Sequence, residues 1–300
     1  YTLAMGDVAV RLAHYEQAMF HYTQCITFLD ERRMNNANLR VRALLGLGLT
    51  HLLTGYSVSA LNYYTEALRV SGKDSCSEYL PDIYYGLCEI SRHQPHDERA
   101  LDYGKKALQL YIERGNKGLE CQMRNILGRI YSQMGDFEAS NACYTESLAL
   151  AMNVGSETMT LNNYIALADL CLAKGKSEEA WRYCALALDY RTKMPHPLSV
   201  GRMYLTCGKV AEALAKGAES QERMKQAIAY YKQAAEQLQN AGTSSDLLAE
   251  AYSRLAQVQE AAGYLHLALA SWHSACNALR SYEHEIPLFQ QRSAFQLSQR

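Results

Sequence analysis

His93 and His96, followed directly by Asp97, have the side chains of a metal site, since two imidazoles and a carboxylate can share a divalent cation. The stretch around them, His93-Gln-Pro-His96, contains a proline and has no supporting cysteine or second histidine pair, so it reads as a surface turn. His266 and His273 stand seven residues apart, two turns along one helical face, roughly 10 Å and too far to share one ion easily. Gly46-Leu47-Gly48 begins like a dinucleotide loop but lacks a third glycine and a preceding strand. Gly175-Lys176-Ser177 mimics the end of a phosphate loop, yet Leu170 occupies the place of that loop's first glycine and the flanks are helical. No serine or cysteine sits in a glycine elbow or beside an oxyanion loop. The expectation is a chain with no catalytic residues, no cofactor and no metal.

Composition points to helices. Five prolines in 300 residues, 48% apolar residues and abundant Ala, Leu, Gln and Glu describe a helix-rich chain with ample apolar surface to bury. The formal net charge is −1, from 30 basic and 31 acidic residues with no polybasic run, which disfavours a nucleic-acid partner held through its phosphates. No apolar run approaches the roughly 18 residues of a membrane span, and no secretory leader is present, so no membrane association is expected. The nine cysteines are odd in number and lack any CxxC pair. Most, such as Cys25, Cys143, Cys171 and Cys184, fall in helical apolar registers and read as small buried thiols, which implies a reducing compartment and a cytoplasmic location. Tyr1 opens inside a helical pattern, which reads as a piece of a longer protein.

The elements that would position any function repeat along the chain. The segment from Gly55 to Leu68 aligns without a gap on the segment from Gly135 to Leu148, 80 residues later, and Ala100 to Leu108 lies midway, giving a unit of about 40 residues. In each unit a small residue opens the second helix: Ala18, Ala60, Ala100, Ser140, Ala180, Ala227 and Ala268. Four residues on stands a bulky or apolar one in most units, Tyr22, Tyr64, Tyr144, Cys184, Tyr231 and Trp272, and three further on another small one, from Cys25 to Ala275. Twelve residues before the opening residue comes another small residue, as in Leu47-Gly48, Leu127-Gly128 and Leu167-Ala168. Small side chains let two helices approach, and the aromatic fills the gap that results. Met134-Gly135-Asp136 and Lys174-Gly175-Lys176 read as turns that use glycine's left-handed conformation.

This small, aromatic, small pattern resembles the tetratricopeptide-repeat (TPR) family over nearly the whole chain. The resemblance implies an all-α, right-handed α-solenoid of about seven TPR-like helix pairs with a period of about 40 residues, followed by a C-terminal helix. The solenoid would cover residues 1–282, with units near 1–36, 37–77, 78–116, 117–156, 157–194, 198–242 and 245–282, and a capping or linker helix would span 283–300. In departure from the pattern, Gly104 replaces the aromatic of the third unit, Cys88 occupies its glycine site, and residues 216–221 carry an insertion.

TPR solenoids bind partners mostly on the concave face lined by the first helix of each pair. Carried over, that places Arg42, Leu45 and Leu49 on the face, then Asp82, Tyr85, Glu89 and Arg92, and then Gln122, Asn125 and Arg129. Asn162, Asp169, Arg202, Lys209, Glu250 and Arg254 follow on the later repeats. The mixture suits a protein or peptide ligand, with Asn125 and Asn162 meeting its backbone and Arg129 and Arg202 holding a carboxylate. Each residue taken singly reads first as the solvated side of an ordinary helix, and it is the groove as a whole that is expected to bind. The lysine, asparagine and arginine set of chaperone-tail receptors is not reproduced.

After Ala275 the chain runs through Tyr282, Pro287, Phe289, Arg292, Phe295 and Leu297, with Pro287 placed to open a helix. This tail resembles the junction between a TPR array and a GGDEF diguanylate cyclase in bacterial signalling proteins. It implies a sensory half that controls a cyclase, with homodimerisation through the tail. A peptide-pheromone-binding domain of a transcriptional regulator and a constitutive assembly scaffold are the alternatives.

Overall fold

A computed structural model describes residues 1–72, 77–92, 98–190, 196–217, 220–241 and 245–280. Among them the chain is all-helical, with fourteen helices and no strand, in the TPR-like solenoid arrangement. They fall into two compact units, residues 1–134 and 135–280.

The first unit contains α1 (Thr2–Arg11), α2 (Tyr15–Glu31), α3 (Ala37–Leu53), α4 (Ser57–Ser71), α5 (Leu80–Ser91), α6 (Glu98–Glu113) and α7 (Lys117–Gln133). The second contains α8 (Phe137–Val154), α9 (Glu157–Ala173), α10 (Ser177–Asp189), α11 (Pro197–Leu214), α12 (Ser220–Ala241), α13 (Ser245–Ala261) and α14 over 265–280. Side-chain caps start several helices: Asn36, Asn116, Asp136 and Ser156 accept from the backbone N–H three residues on, satisfying a donor the helix itself leaves open. Gly135 and Gly175 end their helices at φ +80° and +71°, as the turns predicted from sequence require. The first hairpin makes the same turn without glycine, at Ala13 with φ 57°.

Helices α1 and α2, α3 and α4, α5 and α6, α9 and α10, and α11 and α12 pack as hairpins, and α1, α3 and α5 touch in succession, as do α9, α11 and α13. The residues that open the second helices, Ala18 to Ala268, are all buried, at 0–3% exposure, so they do set the helix approach. The aromatic that follows is clamped. A side chain on Gly6 or on Gly46 would lie 2.5 or 2.4 Å from the Tyr22 ring, and one on Gly48 or Gly86 would lie 2.9 or 2.2 Å from Tyr64. Each ring therefore fills space left by a glycine on its own first helix and by a second glycine on the next one.

The third hairpin inverts this arrangement. Gly104 leaves the space, and Cys88 Sγ and Leu127 of α7 fill it, 3.2 and 2.7 Å from where a Gly104 side chain would begin. In α12, Tyr231 returns to the usual pattern against Gly208. Tyr144 is 3% exposed and packs on Leu167 and Leu170. The expected helix over 283–300, His93, His96 and Asp97 all lie outside the described residues.

Candidate functional site

The face proposed from sequence has a simple register. Counted from the packing position of each first helix (Gly6, Gly48, Cys88, Gly128, Ala168, Gly208 and Ala256), the residue six earlier and the residue one later are seven apart and share one side. The earlier row is Arg42, Asp82, Gln122, Asn162, Arg202 and Glu250; the later row is Asp7, Leu49, Glu89, Arg129, Asp169, Lys209 and Gln257. Most of these side chains are half-buried, while Asp7, Arg42, Leu49, Asp82 and Gln257 are more open.

In residues 1–134 much of the face is tied to itself. Arg42 pairs with Asp7 at 3.5 Å, and Tyr22 donates to the other oxygen of Asp7 at 2.7 Å. Glu89 and Arg92 form an ion pair at 2.7 Å with both side chains about 15% exposed. Gln122 Nε2 donates to the Tyr85 hydroxyl at 2.8 Å, and Tyr111 donates to Asp82 at 3.2 Å. Burial, reinforced by Glu89, pushes the Tyr85 phenol up to about 12, and burial also raises the Asp82 carboxyl against the pull of Tyr111 and Arg114. Leu45, Asn125 and Arg129 are half-buried on the same side of α3 and α7.

In residues 135–280 the later repeats carry a mixed charge cluster. Lys209 Nζ meets Glu250 at 2.6 Å, and Glu212 accepts from Tyr231 at 2.6 Å while Arg254 lies 3.8 Å from it. Thr206 Oγ1 donates to Asp169 at 3.1 Å. Burial raises the Asp169 carboxyl, and Lys209, the Thr206 hydrogen bond and Arg202 only partly offset it. Glu212 was not among the residues expected from sequence, although it stands four after Gly208 as Arg92 stands four after Cys88. Asp7 was also missed, although it sits in the same row as Glu89 and Asp169.

This chemistry is suited to hydrogen bonding and charge recognition. Burial pushes the Cys88 thiol up to about 12 and raises Cys171, away from the thiolate form that a nucleophile needs. Among the described residues no group of three His, Cys, Asp or Glu side chains could hold a metal ion, and no helix is long and apolar enough to cross a membrane.

A family model described as a MalT-like TPR region matches residues 7–196. No curated protein sequence matches the chain. Among solved structures, the apo form of RapI superposes with a TM-score of 0.71 at 13% identity, over 94% of this chain and 98% of that one. The apo quorum sensor NprR from B. thuringiensis gives a TM-score of 0.63 at 13% identity, over 93% of this chain and 86% of that one. NprR in complex with its cognate peptide NprX gives 0.59 at 16% identity, over 84% and 71%. At such identities the likeness is one of fold.

Proposed function

We propose that this chain, which belongs to the MalT-like TPR family, is a non-catalytic regulatory domain that binds a peptide against the side lined by its first helices. The observation that carries the proposal is the composition of that side. Its two register rows are polar or charged at all positions but Leu49, and they recur at the repeat period on helices that also carry a buried packing face. An extended peptide needs donors and acceptors for its backbone at regular intervals, and a stack of helices presenting amides, a phenol and guanidinium groups supplies them. NprR, a quorum sensor that shares the fold, has been solved with a peptide bound, which agrees with this use of the architecture.

The peptide-sensing class of transcriptional regulator is therefore the output we favour. Control of a diguanylate cyclase and dimerisation through the tail rest on residues 283–300, which lie outside the described residues, and the family and relatives above lend them no support.

The test is to incubate the chain with a library of short synthetic peptides, identify the retained ones by mass spectrometry, and titrate them calorimetrically. Selective retention that Arg129→Glu or Asn125→Ala weakens, with the melting curve preserved, is the expected result. Failure to retain any peptide, or retention indifferent to both substitutions, refutes the assignment.

A further inference from the structure

Within each unit, a later-row residue stands where it can meet the earlier-row residue of the next first helix. Two such rungs are closed ion pairs, Asp7 with Arg42 at 3.5 Å and Lys209 with Glu250 at 2.6 Å. The rung between α9 and α11 has the same residue types as the first, Asp169 and Arg202, and it is open. Asp169 takes its hydrogen bond from Thr206 instead. Arg202 reaches no hydrogen-bond or ion-pair partner among the described residues and acts on Asp169 only at longer range. Asn162, in the same row one first helix earlier, likewise has no hydrogen-bond partner among the described residues.

The sequence explains why this rung differs. In the first two hairpins the ring lies against a glycine two residues before the next packing position, Gly46 for Tyr22 and Gly86 for Tyr64. The fifth repeat has Cys184 where those have tyrosine, and the corresponding position of α11 is Thr206. Two things follow. Asp169 lacks the phenol that holds Asp7, and a hydroxyl stands where Asp7 faces a glycine. The threonine engages the carboxylate and leaves the guanidinium half-buried and unspent. The neighbouring charges are already matched, Lys209 by Glu250 and Glu212 by Arg254.

A guanidinium presents a planar fork of donors that fits a carboxylate in two parallel hydrogen bonds, and an amide further along the face can donate to the peptide that carries it. We propose that Arg202 forms a carboxylate-recognising subsite, with the Asn162 amide of the same row on α9 donating to the peptide beside it, so that the ligand is a peptide presenting a carboxylate to α11. This rests on the peptide-binding assignment above and adds the chemical class of the ligand. The carboxylate is that of the peptide's C-terminus or of an Asp or Glu side chain.

Three peptide libraries separate these sources: one with free C-termini and all residues, one amidated at the C-terminus, and one with free C-termini but no Asp or Glu. Each is tested on the wild-type chain and on Arg202→Gln, Arg202→Lys and Asn162→Ala. The expected result is retention from the first library and loss from one of the others, the one lost identifying the source. Affinity for a retained peptide should fall on the order of tenfold or more in Arg202→Gln, less in Arg202→Lys and Asn162→Ala, as expected for charge-assisted hydrogen bonds. Circular dichroism melts matching wild type show that the folds are intact. Should Arg202→Gln not fold, Arg202→Lys alone must still lower affinity. Peptides retained equally from all three libraries, or an affinity unmoved by the Arg202 variants, overturn the subsite and leave peptide binding standing. No retention from any library overturns both.

Discussion

Gly86→Ala is expected to destabilise residues 1–134, although it replaces a poor helix former with the best one. Gly86 lies inside α5, where the change should gain about 1 kcal/mol from propensity. Against that, the new methyl would begin 2.2 Å from Cε1 and Cζ of Tyr64, far inside contact distance. The ring cannot retreat. It is 3% exposed, and on its other side a side chain at Gly48 would already be 2.9 Å away, so the backbone of α3 stands close behind it. Relief requires α4 and α5 to separate or the ring to leave its rotamer. Overpacking of this kind costs about 1–3 kcal/mol, and the size of the overlap places it at the upper end. The net expectation is a loss of about 2 kcal/mol.

Urea denaturation followed by circular dichroism measures it, with Gly118→Ala as the control. Gly118 also lies in a helix, but its added methyl would meet only Asn116 Oδ1 at 3.8 Å, so propensity alone should act and the midpoint should hold or rise. Tyr64→Leu in the Gly86→Ala background should cost less than the two single changes summed, because the clash goes with the ring. A Gly86→Ala midpoint equal to or above wild type would refute the clamped ring.

Four further outcomes follow from the same geometry. His51 is buried and stacked on Tyr63, and burial lowers its value; it stays neutral when folded while the unfolded chain takes up a proton, so stability should fall as pH drops through about 6.5, and His51→Phe should flatten that slope in pH-dependent melts. Tyr231→Phe removes the hydroxyl that donates to Glu212 and should cost about 1 kcal/mol in urea titration, at the low end because Glu212 is 30% exposed and keeps Arg254 near. Asp169→Asn should raise the melting temperature at neutral pH, because burial raises the carboxyl and makes its charged form costly when folded; the gain should shrink as pH falls and vanish below the unfolded value of about 3.9, where wild type is neutral in both states. Thr206→Val should release Asp169 to pair with Arg202 and so weaken a carboxylate-bearing peptide in calorimetric titration, with little change in the melt.

The fold was legible because its rule is written in residue size. A small residue at Ala18 or Ala60 and a tyrosine four later are both buried, and no distant information is needed to see that they belong to one hairpin. Glycine showed two of the turns, at Gly135 and Gly175, but the first hairpin turns at Ala13, where a left-handed alanine left no compositional trace. The second glycine of each clamp was also invisible as such. Gly46 and Gly86 serve a ring on the preceding hairpin, so their meaning depends on Tyr22 and Tyr64 some 22–24 residues earlier in the chain.

The candidate site was legible only as a row. Spacing by seven puts Asp7, Glu89 and Asp169 on one side of their helices, but it cannot say which charges are spent, because each partner is supplied by a neighbouring helix. Asp7 with Arg42 and Asp169 with Arg202 look interchangeable in sequence, yet one closes and the other does not. The difference lies in two residues, a cysteine at position 184 where Tyr22 holds Asp7 and a threonine at position 206 where Asp7 faces a glycine. α11 has Thr206 at the position that is glycine in α3 and α5; the hydroxyl engages Asp169, and Arg202 is left available. One hydroxyl in place of a glycine thereby changes which charge a first helix offers to a ligand. Repeat proteins can acquire distinct recognition sites by this route, because each interface is shared only with the next repeat, and the ion pairs Asp7–Arg42 and Lys209–Glu250 stay closed beside the open one.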